Sequence, residues 1–141
     1  MKETQVVLVA PNTLGSYKFS GKKRENLALG CLGAYLEQNQ ISHELIDARF
    51  DDLTPEQIAE EVIRLNPLLM GLTFMEQEPA IWSKPLIEQI RKNSPNTHIV
   101  VGSYFPTLDP KKCLETTPEI DSIVQGEGEE TLLELTLKIS N

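Results

Sequence analysis

The sequence is poor in cysteine, in basic residues and in long apolar runs. Its 141 residues include two cysteines, and 13 lysines and arginines stand against 21 aspartates and glutamates. Cys31 and Cys113 are too far apart for a zinc or iron–sulfur motif, and we predict two buried thiols in a reducing compartment. The formal charge of −8 disfavours a nucleic-acid partner and a negatively charged membrane surface.

The N-terminal apolar run covers only residues 6–10. This is too short for the core of a signal peptide or for a membrane span, which needs about twenty residues. We therefore expect a cytoplasmic protein with no nucleic-acid and no membrane partner. The length and the 40% hydrophobic content predict a single domain, residues 1–141, that buries a core without a structural metal.

Short apolar runs alternate with stretches of helical spacing along the whole chain. The strands are predicted at residues 5–10, 43–47, 68–74, 98–102 and 121–124. The helices are predicted at residues 26–39, 55–66, 79–92 with a bend or restart at Pro85, 110–115, and from 128 onward. Strict alternation of strands and helices, joined by right-handed crossovers, predicts an α/β fold. Its sheet is a doubly wound, parallel, five-stranded sheet in the order 2-1-3-4-5.

Ligands of such sheets bind beyond the carboxyl ends of the strands. The loops at that edge are residues 11–25, 73–78, 103–109 and 125–129. His43 and His98 fall at the starts of their strands, on the opposite edge. We therefore predict structural roles for both histidines.

The turn formed by Gly126, Glu127, Gly128 and Glu129 is the clearest marker of the carboxyl edge. Its glycines permit positive φ or close backbone approach, and its acids favour the first turn of a helix. One interpretation is a well-formed helix start. The other is that the glycines bring backbone N–H groups against a ligand.

In a second segment at this edge, glycine permits a ligand to approach the backbone closely. The segment starts at Gly102 and continues through Ser103 and Tyr104 to Thr107. Its aromatic residues either pack onto the sheet or cover an apolar group of a ligand. The first loop holds a basic cluster in this acidic chain, which is either a solvated loop or a contact for an anion. The cluster consists of Lys18, Lys22, Lys23 and Arg24.

Several stretches, in this order and spacing, form a familiar pattern over nearly all 141 residues. They are Leu29-Gly30-Cys31-Leu32-Gly33-Ala34-Tyr35-Leu36-Glu37, Ile46-Asp47-Ala48, Met70-Gly71-Leu72-Thr73, Ile99-Val100-Val101-Gly102-Ser103-Tyr104-Phe105-Pro106-Thr107 and Val124-Gln125-Gly126-Glu127-Gly128-Glu129-Glu130-Thr131. With them, the chain resembles the cobalamin-binding domain at the front of cobalamin-dependent radical S-adenosylmethionine enzymes.

The resemblance implies a flavodoxin-like sheet that holds cobalamin, with the corrin ring on the carboxyl edge and the nucleotide tail between sheet and helices. Thr73 and the Gly102 turn would line the tail, and the Gly126 turn would lie near the nucleotide or the corrin amides. The implied cofactor-binding residues are Asn12, Thr73, Gly102, Ser103, Tyr104, Thr107, Gly126, Glu127 and Gly128. No residue of the chain is expected to bind a metal ion directly.

Three departures from related domains refine this expectation. Methionine synthase-type domains carry Asp-x-His-x-x-Gly after the first strand, where this chain has Ala10, Asn12 and Gly15, so cobalamin is expected to lack a protein imidazole. Ser103 replaces a common glycine, and its hydroxymethyl group narrows the tail channel. The Cys-x-x-x-Cys-x-x-Cys segment of radical enzymes is absent, so an iron–sulfur cluster and S-adenosylmethionine are expected only in a separate or partner domain.

Two functions of different classes follow. The first is a cobalamin-binding module that works with a radical S-adenosylmethionine catalytic domain, in cis or in trans, and is not catalytic alone. The second is a cofactor-free regulatory or protein-interaction domain that retains the fold. A phosphoacceptor receiver is disfavoured, because Pro11-Asn12 and Thr73-Phe74 occupy the places of its acids.

Overall fold

The computed structural model describes residues 3–13 and 26–141. Among them, five parallel strands form one sheet in the order β2-β1-β3-β4-β5, as predicted. The strands are β1 Val6–Ala10, β2 His43–Asp47, β3 Leu69–Thr73, β4 His98–Gly102 and β5 Ser122–Ile123. The helices are α1 Leu27–Gln38, α2 Pro55–Leu65, α3 Gln77–Trp82, α4 Lys84–Asn93, α5 Tyr104–Leu108, α6 Pro110–Thr116 and α7 Glu129–Ser140. Gly15 and the basic cluster Lys18, Lys22, Lys23 and Arg24 lie outside the described residues.

Both faces of the sheet are covered, which explains the unbroken apolar run of β1. Val7 and Val9 point to the core under α2, α3, α4 and α6. Val6, Leu8 and Ala10 point to the core under α1 and α7. All five residues are buried, as expected for a central parallel strand with helices on each side.

Local signals account for the start of α2 and for the break between α3 and α4. Thr54 and Gln57 form a reciprocal capping box at the start of α2, with Pro55 in the first turn. These two side chains satisfy backbone N–H groups that have no partner inside the helix. The predicted restart near Pro85 is confirmed: α3 and α4 meet at Ser83, whose hydroxyl donates to the Pro79 carbonyl at 2.7 Å.

Two expectations were wrong. Residues 104–108 were predicted as loop and form α5; Pro106 lies in the first turn of α5, where its missing N–H removes no helical hydrogen bond. Cys31 was predicted to be buried and is exposed, whereas Cys113 is buried. On α1 the buried residues are Leu29, Gly33 and Leu36, and Cys31 follows Leu29 by two positions, which turns it away from that face.

A polar network at the amino edge holds β5 against β4. Asp121 accepts hydrogen bonds from the Ile99 N–H at 2.8 Å and from Arg91 at 2.7 Å. His98 Nε2 lies 2.6 Å from the Ser122 hydroxyl. Burial, the largest influence, lowers the pKa of His98 below its ordinary 6.5. Burial raises the pKa of Asp121, but its hydrogen bonds and the Arg91 and His98 charges outweigh it, so the net pKa is lowered from 3.8.

This network predicts loss of stability in acid. Because the folded-state pKa values of His98 and Asp121 are both lowered, the unfolded chain binds these protons first. The free energy of unfolding is therefore expected to fall as the pH drops below 6.5, and to fall again below 3.8. Urea unfolding at a series of pH values measures this profile. Asp121→Asn should flatten the most acidic part of the profile. Glu127→Gln, which changes an exposed carboxyl, should leave the profile unchanged. Identical profiles for the wild type and both variants would contradict a role of this network in acid stability.

Among residues 3–13 and 26–141, no helix has both the length and the apolar content needed to cross a membrane.

Candidate functional site

The carboxyl edge contains the point at which the crossover direction of the sheet reverses. From β1 the chain passes to β2 on one side, and from β3 it continues to β4 and β5 on the other. In doubly wound sheets the ligand crevice opens at this switch point, between the carboxyl ends of β1 and β3. The site is therefore bounded by the segments that follow β1, β3, β4 and β5.

Backbone hydrogen bonds join the segments after β3 and β4. The Phe74 N–H donates to the Gly102 carbonyl at 2.9 Å, and the Phe105 N–H donates to the Phe74 carbonyl at 3.0 Å. Phe74 has no exposed side-chain surface, so it anchors both segments in the core. Thr73 and Gly102 are register partners on the two strands, which places these two predicted residues side by side.

The segments after β4 and β5 are joined through Thr107. Its hydroxyl accepts a hydrogen bond from the Gly126 N–H at 3.0 Å, and its carbonyl lies 3.4 Å from Gln125 Nε2. Gly126 has a φ of +79°, a conformation that glycine adopts without steric penalty. Two of the predicted residues, 19 positions apart, are thus in direct contact. Glu127 is exposed in the same turn.

Gly102 and Gly128 leave space around Val124. A Cβ atom added to Gly102 would lie 3.6 Å from the Val124 carbonyl oxygen, and one added to Gly128 would lie 3.8 Å from Val124 and from Leu32 of α1. These are ordinary contact distances, so the packing of the chain does not require glycine at either position. What glycine provides here is an uncovered backbone that a ligand can approach closely.

Ser103 adopts a backbone conformation that is otherwise almost confined to glycine. Its φ is 85° and its ψ is −163°, outside the left-handed helical region in which non-glycine residues occur. The hydroxyl of Ser103 contacts the sulfur of Met75 at 3.1 Å. The side chain of Ser103 therefore reaches across from the β4 segment to the β3 segment.

The remaining predicted residues take different positions at this edge. Asn12 is 7% exposed, and its Oδ1 accepts a hydrogen bond from the Thr13 N–H at 2.8 Å. Tyr104 is 62% exposed, whereas Phe105 packs against the core below α3 and α6. Of the two aromatic residues, Phe105 thus packs onto the sheet, and Tyr104 is free to contact a ligand or partner.

Three further residues at this edge were not predicted. Asp47 ends β2, and its carboxylate accepts from the Asn26 N–H at 3.2 Å and the Phe50 N–H at 3.1 Å, which fixes the start of α1. Thr13 and Glu78 each bury a side-chain oxygen that has no hydrogen-bond partner. Thr13 follows β1 and Glu78 follows β3, and this position in the sequence is the one signal that could have identified these two residues. Within residues 3–13 and 26–141, no three His, Cys, Asp or Glu residues cluster as metal ligands.

The B12 binding domain family matches residues 20–136 of the sequence, which contain the segments after β3, β4 and β5 described above but not residues 11–13 after β1. The chain belongs to this family.

The relatives of this B12 binding domain are longer proteins. It is 30% identical, over 99% of its length, to an uncharacterized methyltransferase of Pyrococcus horikoshii, of which it covers 30%. It is 34% identical, over 77% of its length, to an anaerobic magnesium-protoporphyrin IX monomethyl ester cyclase of Rubrivivax gelatinosus, of which it covers 20%. The chain thus spans less than a third of these curated relatives.

Among solved structures, the B12 binding domain is similar to the cobalamin-dependent S-adenosylmethionine radical enzyme OxsB with aqua-cobalamin and S-adenosylmethionine bound. The TM-score is 0.79 at 28% identity, with 97% of this chain and 19% of that chain covered. A response regulator from Thermotoga maritima matches at a TM-score of 0.58 and 20% identity, covering 96% of this chain and 97% of that chain. The latter likeness shows the shared fold alone.

Proposed function

We propose that the chain binds cobalamin at the carboxyl edge of its sheet and presents the cofactor to a radical S-adenosylmethionine catalytic domain. The observation that carries the proposal is the uncovered backbone of Gly102 and Gly128 around Val124, where packing leaves room for a side chain and the sequence supplies none. The family of the domain and its similarity to the OxsB structure support the same ligand.

The residues present fit cobalamin through backbone and hydroxyl groups. Gly102 and Gly128 would accept close approach of the cofactor, Thr73 would line the tail beside Gly102, and the Thr107 contact would hold the Gly126 turn in place. Bound cobalamin supplies a transferable methyl group or electrons at cobalt. The work of this chain is to bind and orient it.

Cobalamin is proposed to bind without a protein imidazole. The sequence contains two histidines, and both lie at the amino ends of strands, His43 in β2 and His98 in β4. After β1, where methionine synthase-type cobalamin domains carry histidine, Asn12 is buried and its Oδ1 is already engaged by the Thr13 N–H.

The chemistry would require a second domain. The sequence lacks the three-cysteine segment for an iron–sulfur cluster, so the cluster and S-adenosylmethionine are assigned to a catalytic domain in cis or in trans. Methyl transfer, or a related radical reaction, is the proposed activity of the combined protein. The similarity to part of an uncharacterized methyltransferase and to part of the radical enzyme OxsB supports that assignment.

One observation favours a second function, a cofactor-free interaction domain. The hydroxymethyl group of Ser103 extends to Met75 across the segments after β4 and β3, where a glycine would leave the tail channel wider. Such a domain would show no thermal stabilisation by cobalamin and would instead bind a defined protein partner.

Gel filtration with hydroxocobalamin separates the two functions. The purified protein is mixed with an excess of hydroxocobalamin and passed over a desalting column beside a receiver domain of similar size and fold. Binding predicts that the visible chromophore elutes with this protein, and that the midpoint of thermal unfolding rises with ligand concentration. A chromophore no greater than that of the receiver, with an unchanged midpoint, would contradict cobalamin binding.

A further inference from the structure

Two buried side-chain oxygens of the described residues lack any hydrogen-bond partner: Thr13 Oγ1 and Glu78 Oε2. Each atom has almost no contact with bulk solvent. A buried polar atom without a partner costs free energy, and for a carboxylate oxygen the cost is larger than for a neutral group. Such exceptions are rare in folded proteins and commonly mark functional positions.

Both oxygens belong to the segments that border the switch point. Thr13 lies three residues beyond the end of β1, and Glu78 lies five residues beyond the end of β3 in the first turn of α3. β1 and β3 are neighbours in the sheet, and the crevice of the fold opens between their carboxyl ends. No other described residue has an unsatisfied buried side-chain oxygen or nitrogen, so both exceptions fall in segments that border the crevice.

The chemistry of the pair selects a particular kind of group. A carboxylate only accepts hydrogen bonds, whereas a threonine hydroxyl donates one and accepts others. A primary carboxamide offers both counterparts, because its NH₂ donates to the carboxylate and its carbonyl accepts from the hydroxyl. The corrin ring carries primary carboxamides on its side chains.

We infer that Thr13 and Glu78 form a subsite that binds one carboxamide of the corrin. This inference rests on the proposed function and adds a specificity for amidated corrins to the proposed cobalamin site. Glu78 accepts the amide N–H, and Thr13 donates to the amide carbonyl. A corrin with a carboxylate at that side chain would place a negative oxygen, in the position of the amide nitrogen, against the Glu78 carboxylate with no hydrogen to share between them. The subsite therefore distinguishes the amidated cofactor from acidic precursors or hydrolysis products.

The selectivity of the subsite is measurable with cobalamin monocarboxylates, in which one carboxamide has been hydrolysed. Dissociation constants for hydroxocobalamin and for each separated monocarboxylate isomer are measured by visible titration. The proteins are the wild type, Glu78→Gln, Thr13→Val and Glu76→Gln. Glu76 is the matched control, because it lies two residues from Glu78, undergoes the same charge change and is exposed.

Wild-type protein is expected to reject one isomer by tenfold or more relative to hydroxocobalamin, roughly the effect of an unpaired buried charge. Glu78→Gln should reduce this discrimination to about threefold or less, since a glutamine side chain can donate to the carboxylate. Thr13→Val should weaken hydroxocobalamin binding by about tenfold, the loss of one buried hydrogen bond. Glu76→Gln should retain wild-type discrimination.

Two results would overturn the inference while leaving cobalamin binding intact. One is equal affinity of the wild type for every isomer, and the other is equal loss of discrimination in Glu78→Gln and Glu76→Gln. Thermal unfolding without ligand adds a third test. Because Glu78 lies in the first turn of α3, where the helix dipole favours a negative charge, its change is compared with that of Glu76→Gln. The midpoint of Glu78→Gln should equal or exceed that of Glu76→Gln, whereas a clearly lower midpoint would contradict the subsite. A wild type that binds no cobalamin would overturn the proposed function as well.

Discussion

Gly128→Val is expected to weaken hydroxocobalamin binding by tenfold or more while changing the free energy of unfolding by less than about 1 kcal/mol. The backbone of Gly128 has a φ of −103° and a ψ of −12°, and this negative φ does not require glycine. The added Cβ would lie 3.8 Å from Leu32 and from Val124, so the fold accommodates it. The branched side chain would instead occupy space that we assign to the cofactor.

Visible titration gives the affinity, and urea unfolding of the ligand-free protein gives the stability. Gly128→Ala serves as the graded control, because its smaller side chain should produce a smaller loss of affinity at the same stability. If Gly128→Val and Gly128→Ala lose affinity for hydroxocobalamin only in proportion to their loss of stability, the turn at Gly126 to Glu129 serves as a helix start and does not contact the cofactor. Gly126 is unsuitable for this test, because its φ of +79° would strain any substituted side chain.

Ser103→Gly is expected to stabilise the protein by about 1 kcal/mol and to strengthen cobalamin binding. Glycine relieves the backbone strain at φ 85° and ψ −163°, and part of that gain is offset by the greater freedom of glycine in the unfolded chain. The contact between the Ser103 hydroxyl and the Met75 sulfur is lost, but a thioether is a weak acceptor. Removal of the hydroxymethyl group also widens the tail channel.

Ser103→Ala is the matched control for this prediction. It removes the same hydroxyl but keeps a Cβ atom in the strained conformation, so it should not stabilise the protein. Thermal and urea unfolding of the two variants separate the effects. Equal stabilisation by glycine and alanine would show that the hydroxyl, and not the backbone, was unfavourable.

The sheet was predictable because its signals are local and strong. Val6 to Ala10 form an unbroken apolar run. Thr54, Pro55 and Gln57 form a helix start in which both hydrogen bonds of the capping box are present. The order of the strands then followed from the rule that parallel crossovers are right-handed. The turn at Gly126 and the segment at Gly102 were likewise placed at the carboxyl edge, since each follows directly after a strand.

What the sequence did not reveal depends on contacts between distant residues. The hydrogen bond between Thr107 and Gly126 spans 19 positions, and α5 is too short for apolar periodicity to indicate it. Ser103 lies between Gly102 and Phe105, which are both hydrogen-bonded to the backbone of Phe74, and no local pattern encodes these contacts. The unsatisfied oxygens of Thr13 and Glu78 are visible only once the burial of each atom is known.

Amide NMR of ¹⁵N-labelled protein titrated with hydroxocobalamin tests whether cobalamin binds across the carboxyl edge. The amide signals of Gly102, Ser103, Gly126 and Gly128 are expected to shift and saturate at one equivalent, while those of His98 and Asp121 at the amino edge stay in place. Shifts confined to the amino edge, or no shifts at saturating ligand, would contradict binding at the carboxyl edge.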